Sequence, residues 1–115
     1  MEHIMKLYSR EFELLKTGLK VREYRLYDEK RKLIKVKDTI KFLKLPNLDE
    51  EYIVEVTNIE IFKDWYSCYK KYFDIDFKEN YKTIDDVVKD TYNGYYTKEE
   101  SDKYDCVVLT LKKSS

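Results

Sequence analysis

The stretch from Gly18 to Arg25 contains the side chains best suited to chemistry, because it places charged residues on a predicted strand. Alternation along residues 19–26 puts Glu23 and Arg25 on the same strand face. Two charged groups on one face are costly to bury unless they pair or meet a ligand. The pattern is therefore typical of a strand that lines a cleft, or of an exposed edge strand whose charges prevent aggregation.

Other common catalytic signatures are missing from the sequence. It contains no G-x-S-x-G, P-loop or G-x-G-x-x-G motif, so the usual hydrolase and nucleotide-binding fingerprints are absent. The single histidine, His3, has no clustered thiols near it and is interpreted as an ordinary surface or edge residue, without a metal or catalytic role. Cys68 and Cys106 lie outside any C-x-x-C pair and are interpreted as reduced core or near-surface thiols. We therefore predict no metal and no cofactor.

Several elements of the N-terminal half must position the charged strand. Residues 4–8 predict a short strand, and Ser9 is placed to cap a helix that ends at Gly18. After the charged strand, the pattern predicts a turn at residues 37–38, a strand over 39–43, a turn at 46–47, and a long β-rich run over 51–62 that a bulge can divide.

The C-terminal half predicts helices followed by a closing strand. Apolar spacing favours a helix over residues 64–73, and capping patterns open further helical segments at Thr83 and Thr97. Residues 104–111 then alternate as a strand. Five or six strands with two or three helices indicate an α+β fold, either a compact mixed sheet or a small barrel.

Length and composition fit a single domain over residues 1–115. A chain of 115 residues with 43% hydrophobic and 16% aromatic residues can bury one core. No apolar stretch approaches the roughly 20 residues that span a bilayer, and the N-terminal segment lacks the order of a signal peptide. We therefore expect a cytoplasmic protein without a membrane partner.

Charge is distributed unevenly, although the net charge is zero. Residues 1–44 contain 13 Lys or Arg against 7 Asp or Glu, whereas residues 45–111 contain 8 against 16. A net charge of zero argues against a protein that coats long nucleic acid. The asymmetry indicates either a basic and an acidic face, or solvated surfaces with no binding role.

The strand motif and its flanking elements resemble the ASCH domain, a branch of the PUA-like superfamily. One departure is Lys37, which stands where the family turn usually has glycine before the aspartate and must adopt a turn conformation at modest cost. The similar segments span nearly the whole chain: Gly18-x-Lys20-x-x-Glu23-x-Arg25, Ile34-Lys-Val36-Lys-Asp38-Thr-Ile40-x-Phe42, Tyr92-x-x-Tyr95-Tyr96-x-x-Glu99-Glu100 and Tyr104-Asp-Cys-Val107-Val-x-x-Leu111.

This resemblance implies a small PUA-like β-barrel with helices packed across it. It also implies a cleft beside the G-x-K-x-x-E-x-R strand that binds RNA, a nucleotide or a modified nucleoside. In that picture Lys20 and Arg25 contact phosphate or a base edge, and Glu23 holds Arg25 or accepts a hydrogen bond from a base. Tyr92 or Tyr96 stacks on a base. RNA or a small nucleoside or nucleotide is therefore the expected partner.

A similar bacterial branch contains amidohydrolases that remove the acetyl group of N4-acetylcytidine with a lysine, a threonine and a glutamate. The lysine corresponds to Lys20. Desolvation beside Arg25 is expected to lower the pKa of Lys20 and so favour its neutral, nucleophilic form. Glu23 occupies the threonine position and can itself act as a general base, while Glu79 is a loose counterpart of the glutamate. The alternative function is therefore a hydrolase, of this kind or RNA-cleaving, with Lys20 and Glu23 as catalytic residues.

A protein-interaction domain is a further alternative from a different functional class. The aromatic helix over residues 64–73 would then be the docking face. This interpretation requires Trp65 and its neighbours to be exposed as an apolar patch.

Overall fold

A computed structural model describes residues 1–114 and arranges its five strands in the order β1-β3-β4-β5-β2. β1 and β3 pair in parallel, whereas β3 and β4 pair antiparallel, so the sheet is mixed. The strand count lies within the predicted range. The strands are β1 (Glu2–Leu7), β2 (Arg22–Leu26), β3 (Thr39–Lys44), β4 (Glu51–Phe62) and β5 (Cys106–Lys113).

Short helices complete the α+β fold, which confirms the predicted class. Two four-residue helices raise the helix count above the predicted two or three, because the expected helix over residues 64–73 breaks at Lys71 and Tyr72 and a short helix follows Thr97. No helix within residues 1–114 is both long and apolar enough to cross a membrane. The helices are α1 (Ser9–Lys16), α2 (Trp65–Lys70), α3 (Phe73–Asp76), α4 (Ile84–Gly94) and α5 (Lys98–Ser101), with a 3-10 turn at Arg31–Leu33.

The chain forms two compact units, which are described separately. Strands β2, β4 and β5 each contribute residues to both units. The single domain over residues 1–115 stays a prediction. The N-terminal unit comprises Met1–Glu23, Leu33–Ile59 and the described residues from Leu109 onward, and the helical unit comprises Tyr24–Lys32 and Glu60–Val108.

Alternating side chains of β1 and β3 build the core of the N-terminal unit. Residues of β1 are exposed and buried in turn, and the parallel register aligns Met5 with Phe42. Both of these side chains are buried, as are Phe12 and Leu15 on the inner face of α1. Burial of large apolar side chains is the main favourable term for this unit, and each contributes roughly 1.5–3 kcal/mol.

Gly18 ends α1 and reverses the chain toward β2. Its φ of +84° lies in the left-handed region that favours glycine, as expected of a residue just after a helix. The reversal lets the backbone N–H groups of Leu19 and Lys20 both donate to the Leu14 carbonyl at 3.0 Å. The predicted Ser9 cap is wrong, because Tyr8 is the capping position and makes no side-chain capping bond.

The turn before β3 has the conformation predicted for Lys37, with a φ of +81°. The Lys37 N–H donates to the Val56 carbonyl at 2.8 Å, so the turn is fixed to the neighbouring strand β4. Asp38 accepts a hydrogen bond from His3 Nε2 at 2.8 Å, and this bond, together with those from the Lys35 N–H and the N-terminal ammonium group, lowers the pKa of Asp38 to about 2. His3 therefore lies on an edge strand as predicted, but its side chain is buried against a carboxylate.

Aromatic side chains build the core of the helical unit. Trp65 is 2% exposed and stacks between Tyr69 and Tyr96, with ring centroids 5.5 and 5.4 Å away. The Tyr69 hydroxyl hydrogen-bonds Thr91 Oγ1 at 2.6 Å. The protein-interaction alternative requires an exposed apolar patch at Trp65, and the structure does not provide it, because the helical spacing turns this ring into the core and leaves Tyr66 as the exposed aromatic of α2.

Candidate functional site

Lys20 and Glu23 form an ion pair at the start of β2. The Lys20 ammonium lies 3.0 Å from Glu23 Oε1 and 3.4 Å from Glu11 Oε2. Glu23 is 4% exposed, and the Lys20 side chain is 17% exposed. The chain reversal at Gly18 produces this cluster, because it returns Lys20 alongside α1, where Glu11 projects from the first turn.

The pKa of Lys20 is raised above its ordinary value of 10.5. Burial lowers it, but attraction to the carboxylates of Glu23 and Glu11 and hydrogen bonds to both outweigh that effect. The expectation that desolvation beside Arg25 makes Lys20 neutral is therefore wrong. The sequence did not indicate the second carboxylate, Glu11, and the two carboxylates hold Lys20 as an ammonium ion.

Lys20 lines a cavity of about 260 Å³ in the N-terminal unit, here called the Lys20 cavity. Three further lysines, Lys16, Lys112 and Lys113, line the same cavity, together with the ring of Tyr52. The last two lysines come from the end of β5, which hydrogen-bonds the chain entering β2 through the Leu111 N–H. Sheet pairing thus brings residues 111–113 beside residues 15–21 around one cavity.

The remaining predicted site residues lie in the helical unit. Arg25 is half-buried on β2, two residues after Glu23, and lines neither cavity described here. Tyr96 is half-buried, and one face of its ring is taken by Trp65. Tyr92 lines a separate cavity of about 330 Å³, here called the Tyr92 cavity, and Glu79 is exposed in the turn after α3.

Cys106 lines the Tyr92 cavity, so metal-ligating and thiol side chains bear on its chemistry. Within residues 1–114 no group of three or more His, Cys, Asp or Glu side chains is arranged to hold a metal ion. Cys68 and Cys106 are both free and buried, and burial together with their mutual contact raises the pKa of Cys68. A thiol held protonated in this way is a core side chain rather than a nucleophile.

The sequence patterns did not indicate several residues that line or support these cavities. Glu11 lies nine positions before Lys20, and only the packing of α1 beside the reversed chain brings them together. Lys112 and Lys113 balance the net charge of the sequence, but their place beside Lys20 depends on long-range strand pairing. The one signal in the sequence for this grouping of lysines was their excess in both terminal segments.

The mixed sheet and the lysine–carboxylate cluster on its edge strand define a small PUA-like α+β domain. The ASCH domain model matches residues 5–114, so this chain belongs to the ASCH domain family. No curated protein matches the chain.

Solved structures with the same fold support this assignment. The crystal structure of hypothetical protein PH0355 is 31% identical, with a TM-score of 0.83 over 99% of this chain and 100% of that chain. The solution structure of protein PF0455 from Pyrococcus furiosus is 28% identical, with a TM-score of 0.72 over 98% and 97%. A mutant of ZmASCH from Zymomonas mobilis shares the fold alone, at 13% identity and a TM-score of 0.67 over 97% of this chain and 68% of that chain.

Proposed function

We propose that this ASCH domain is a binding module for RNA, a nucleotide or a modified nucleoside, with the ligand in the Lys20 cavity. The observation that carries the proposal is the convergence of four lysines and one tyrosine on a cavity beside the G-x-K-x-x-E-x-R strand. Lysines attract phosphate, and an aromatic ring offers a base a stacking surface. Catalysis is not required for this role.

The lysines at the rim of the Lys20 cavity supply the phosphate contacts. Lys16 pairs with Glu50 at 2.8 Å and Lys112 with Glu55 at 3.7 Å, and both lysines are exposed. Surface pairs of this kind contribute only about 0–1 kcal/mol, so a phosphate can replace the carboxylate at small cost. Lys113 is exposed and forms no ion pair within residues 1–114, which leaves its ammonium group directly available.

Lys20 has a different part in this site, because its own charge is already compensated. Glu11 and Glu23 together carry two negative charges against one positive charge on Lys20. The ammonium group has three donors, and the two carboxylates account for two of them. Lys20 therefore offers one donor to an acceptor on a base or sugar, and Glu23 fixes its position. Arg25, Tyr92 and Tyr96 stay predicted ligand contacts.

Titration of a fluorescently labelled six-nucleotide single-stranded RNA, followed by anisotropy at several salt concentrations, tests the proposal. The change of Lys112 and Lys113 to Ala should weaken binding about tenfold and reduce the salt slope by one or two phosphate contacts. Lys20→Ala should also weaken binding but leave the salt slope nearly unchanged. Lys35→Ala removes an exposed lysine outside the cavity and should bind like wild type.

The paired lysine variant protects this test against a folding artefact. Lys20→Ala leaves two carboxylates without their ammonium partner and is expected to reduce stability, whereas Lys112 and Lys113 are exposed. Circular dichroism at the assay temperature checks that each variant is folded. Equal affinity of the wild type, the Lys112/Lys113 variant and the Lys35 control would overturn the proposed cavity.

The hydrolase alternative has one favourable observation, the direct contact between Lys20 and Glu23 inside a cleft. The raised pKa of Lys20 works against it, because a nucleophilic amine must be neutral. Any hydrolysis that depends on neutral Lys20 should therefore increase with pH through and beyond 10.5, the ordinary lysine value. Incubation with N4-acetylcytidine, beside Lys20→Ala, measures this, and release of cytidine at neutral pH by the wild type alone would favour the enzyme.

A further inference from the structure

The Tyr92 cavity of the helical unit has the composition of a second ligand site. It measures about 330 Å³ and lies where α2, α4, α5 and the start of β5 meet. Its lining combines three lysines, two tyrosines and the edge of Trp65. None of these residues lines the Lys20 cavity, so the argument that follows does not depend on the proposed function.

The three lysines of the Tyr92 cavity are matched in number by three aspartates, but two of these aspartates have partners outside the lysines of the cavity. Asp64 Oδ1 accepts the Ser67 N–H at 2.8 Å as the cap of α2, and this bond lowers the pKa of Asp64. Asp102 pairs with Lys98 at 3.1 Å. Lys63 and Lys103 are exposed and form no ion pair within residues 1–114, so neither ammonium group has to leave a carboxylate partner to contact a phosphate.

The two lining tyrosines offer ring surface to a ligand. Tyr92 and Tyr104 are half-buried, and neither has a stacked or edge-on ring neighbour within the described residues, unlike Trp65, Tyr69 and Tyr96. The Lys32 ammonium lies 5.9 Å from the Tyr104 centroid. A ring close to a cation can still stack on a base through its other face.

The cavity wall is held by a part-buried hydrogen bond. Trp65 Nε1 donates to Ser101 Oγ at 3.0 Å, which ties the end of α5 to the start of α2. Ser101 Oγ in turn donates to the Thr97 carbonyl at 2.8 Å, inside the capping box of α5. The walls that carry Lys63 and Lys103 are therefore fixed relative to each other before any ligand arrives.

We infer that the Tyr92 cavity binds one phosphorylated nucleoside, with the base against Tyr92 or Tyr104 and the phosphate near Lys63 and Lys103. Its volume lies at the lower end of the range of small-molecule sites, roughly 300–1,000 Å³, and suits a single nucleotide rather than a strand. The nucleotide is either free or the terminal unit of an RNA.

Two-dimensional 1H–15N NMR of the full chain tests this inference with AMP and CMP as probes. Both nucleotides should shift the Trp65 indole N–H and the amides of Tyr92 and Lys103. Adenosine without phosphate and inorganic phosphate alone should each bind at least tenfold more weakly than AMP. A short 5′-phosphorylated RNA distinguishes a free nucleotide from an RNA end as the ligand. Tighter binding of this RNA than of AMP indicates an RNA end, and equal binding indicates a free nucleotide.

A charge-matched pair of variants completes the test. Changing Lys63 and Lys103 to Ala should weaken AMP binding at least tenfold, whereas changing the exposed Lys70 and Lys89 to Ala should alter it less than twofold. The Lys112/Lys113 variant should leave the Trp65 shift intact, which separates this site from the Lys20 cavity. The inference is overturned if AMP leaves the Trp65 indole unshifted, if adenosine or phosphate binds as well as AMP, or if both double variants bind equally.

Discussion

The two units of the chain satisfy their acidic groups in different ways. In the N-terminal unit carboxylates pair with lysine ammonium groups, in the pairs Glu23–Lys20, Glu13–Lys44 and Glu50–Lys16. The helical unit also has ion pairs, such as Lys98–Asp102 and Lys71–Glu60, but three of its carboxylates accept hydrogen bonds from tyrosine hydroxyls, in the pairs Tyr24–Asp76, Tyr72–Glu60 and Tyr81–Asp90.

This difference gives a structural meaning to the uneven charge of the sequence. A lysine cancels the charge of its carboxylate, whereas a tyrosine hydroxyl satisfies a carboxylate and leaves its charge in place. The acidic second half of the chain has fewer lysines than carboxylates and uses tyrosine hydroxyls in addition to lysine. None of the three tyrosine-bonded carboxylates lines the Tyr92 cavity, whose lining contains three lysines and three aspartates.

The largest expected effect comes from breaking the buried pair of the N-terminal unit. Glu23→Leu should lower the free energy of unfolding by about 3 kcal/mol, the lower end of the range for a broken buried pair, because Glu11 still contacts Lys20. Urea denaturation measures the change. The double variant with Lys20→Met should recover most of the loss, since a buried pair replaced by apolar groups is often neutral. A single variant as stable as wild type would show that the pair is not buried in solution.

Local patterns were sufficient to predict much of the fold. Thr97 and Glu100 form both bonds of the predicted capping box, and Thr83 accepts the Asp86 N–H as expected. Gly18 ends α1 at the predicted position. These features depend on side chains within four residues of each other, which is the range over which sequence spacing determines geometry.

The candidate site was less predictable, because its contacts join distant parts of the chain. Spacing placed Glu23 and Arg25 on one strand face, and the resemblance added Lys20 to the same site. The structure pairs Glu23 with Lys20, and the further contact with Glu11 depends on how α1 packs. The resemblance implied that Lys20 and Tyr92 serve one ligand, whereas each lines a different cavity. Strand pairing between segments as far apart as Val21 and Leu111 leaves no local signal in the sequence.

A smaller effect is expected from the tyrosine pairs of the helical unit. Tyr24→Phe removes the hydroxyl that donates to Asp76 and should lower the free energy of unfolding by about 1.5 kcal/mol, as for a hydrogen bond to a charged group. The exposed Tyr66→Phe is the matched control and should change it by less than about 0.5 kcal/mol. If Tyr24→Phe lowers the free energy of unfolding as much as Glu23→Leu does in the same urea titration, the two kinds of carboxylate pair do not differ as proposed.

The smallest expected effect is a gain in stability at the turn before β3. Lys37 holds a φ of +81°, where a side chain strains the backbone and glycine does not. Lys37→Gly should raise the free energy of unfolding by about 0.5–1 kcal/mol, because relief of strain exceeds the added flexibility of the unfolded chain. Gly18→Ala is the reciprocal change at a φ of +84°; no atom lies within 4 Å of its new Cβ, so strain alone should destabilise it by a similar amount. Equal stability of Lys37→Gly and wild type in urea would mean that the N–H bond to Val56, and not the residue type, determines this turn.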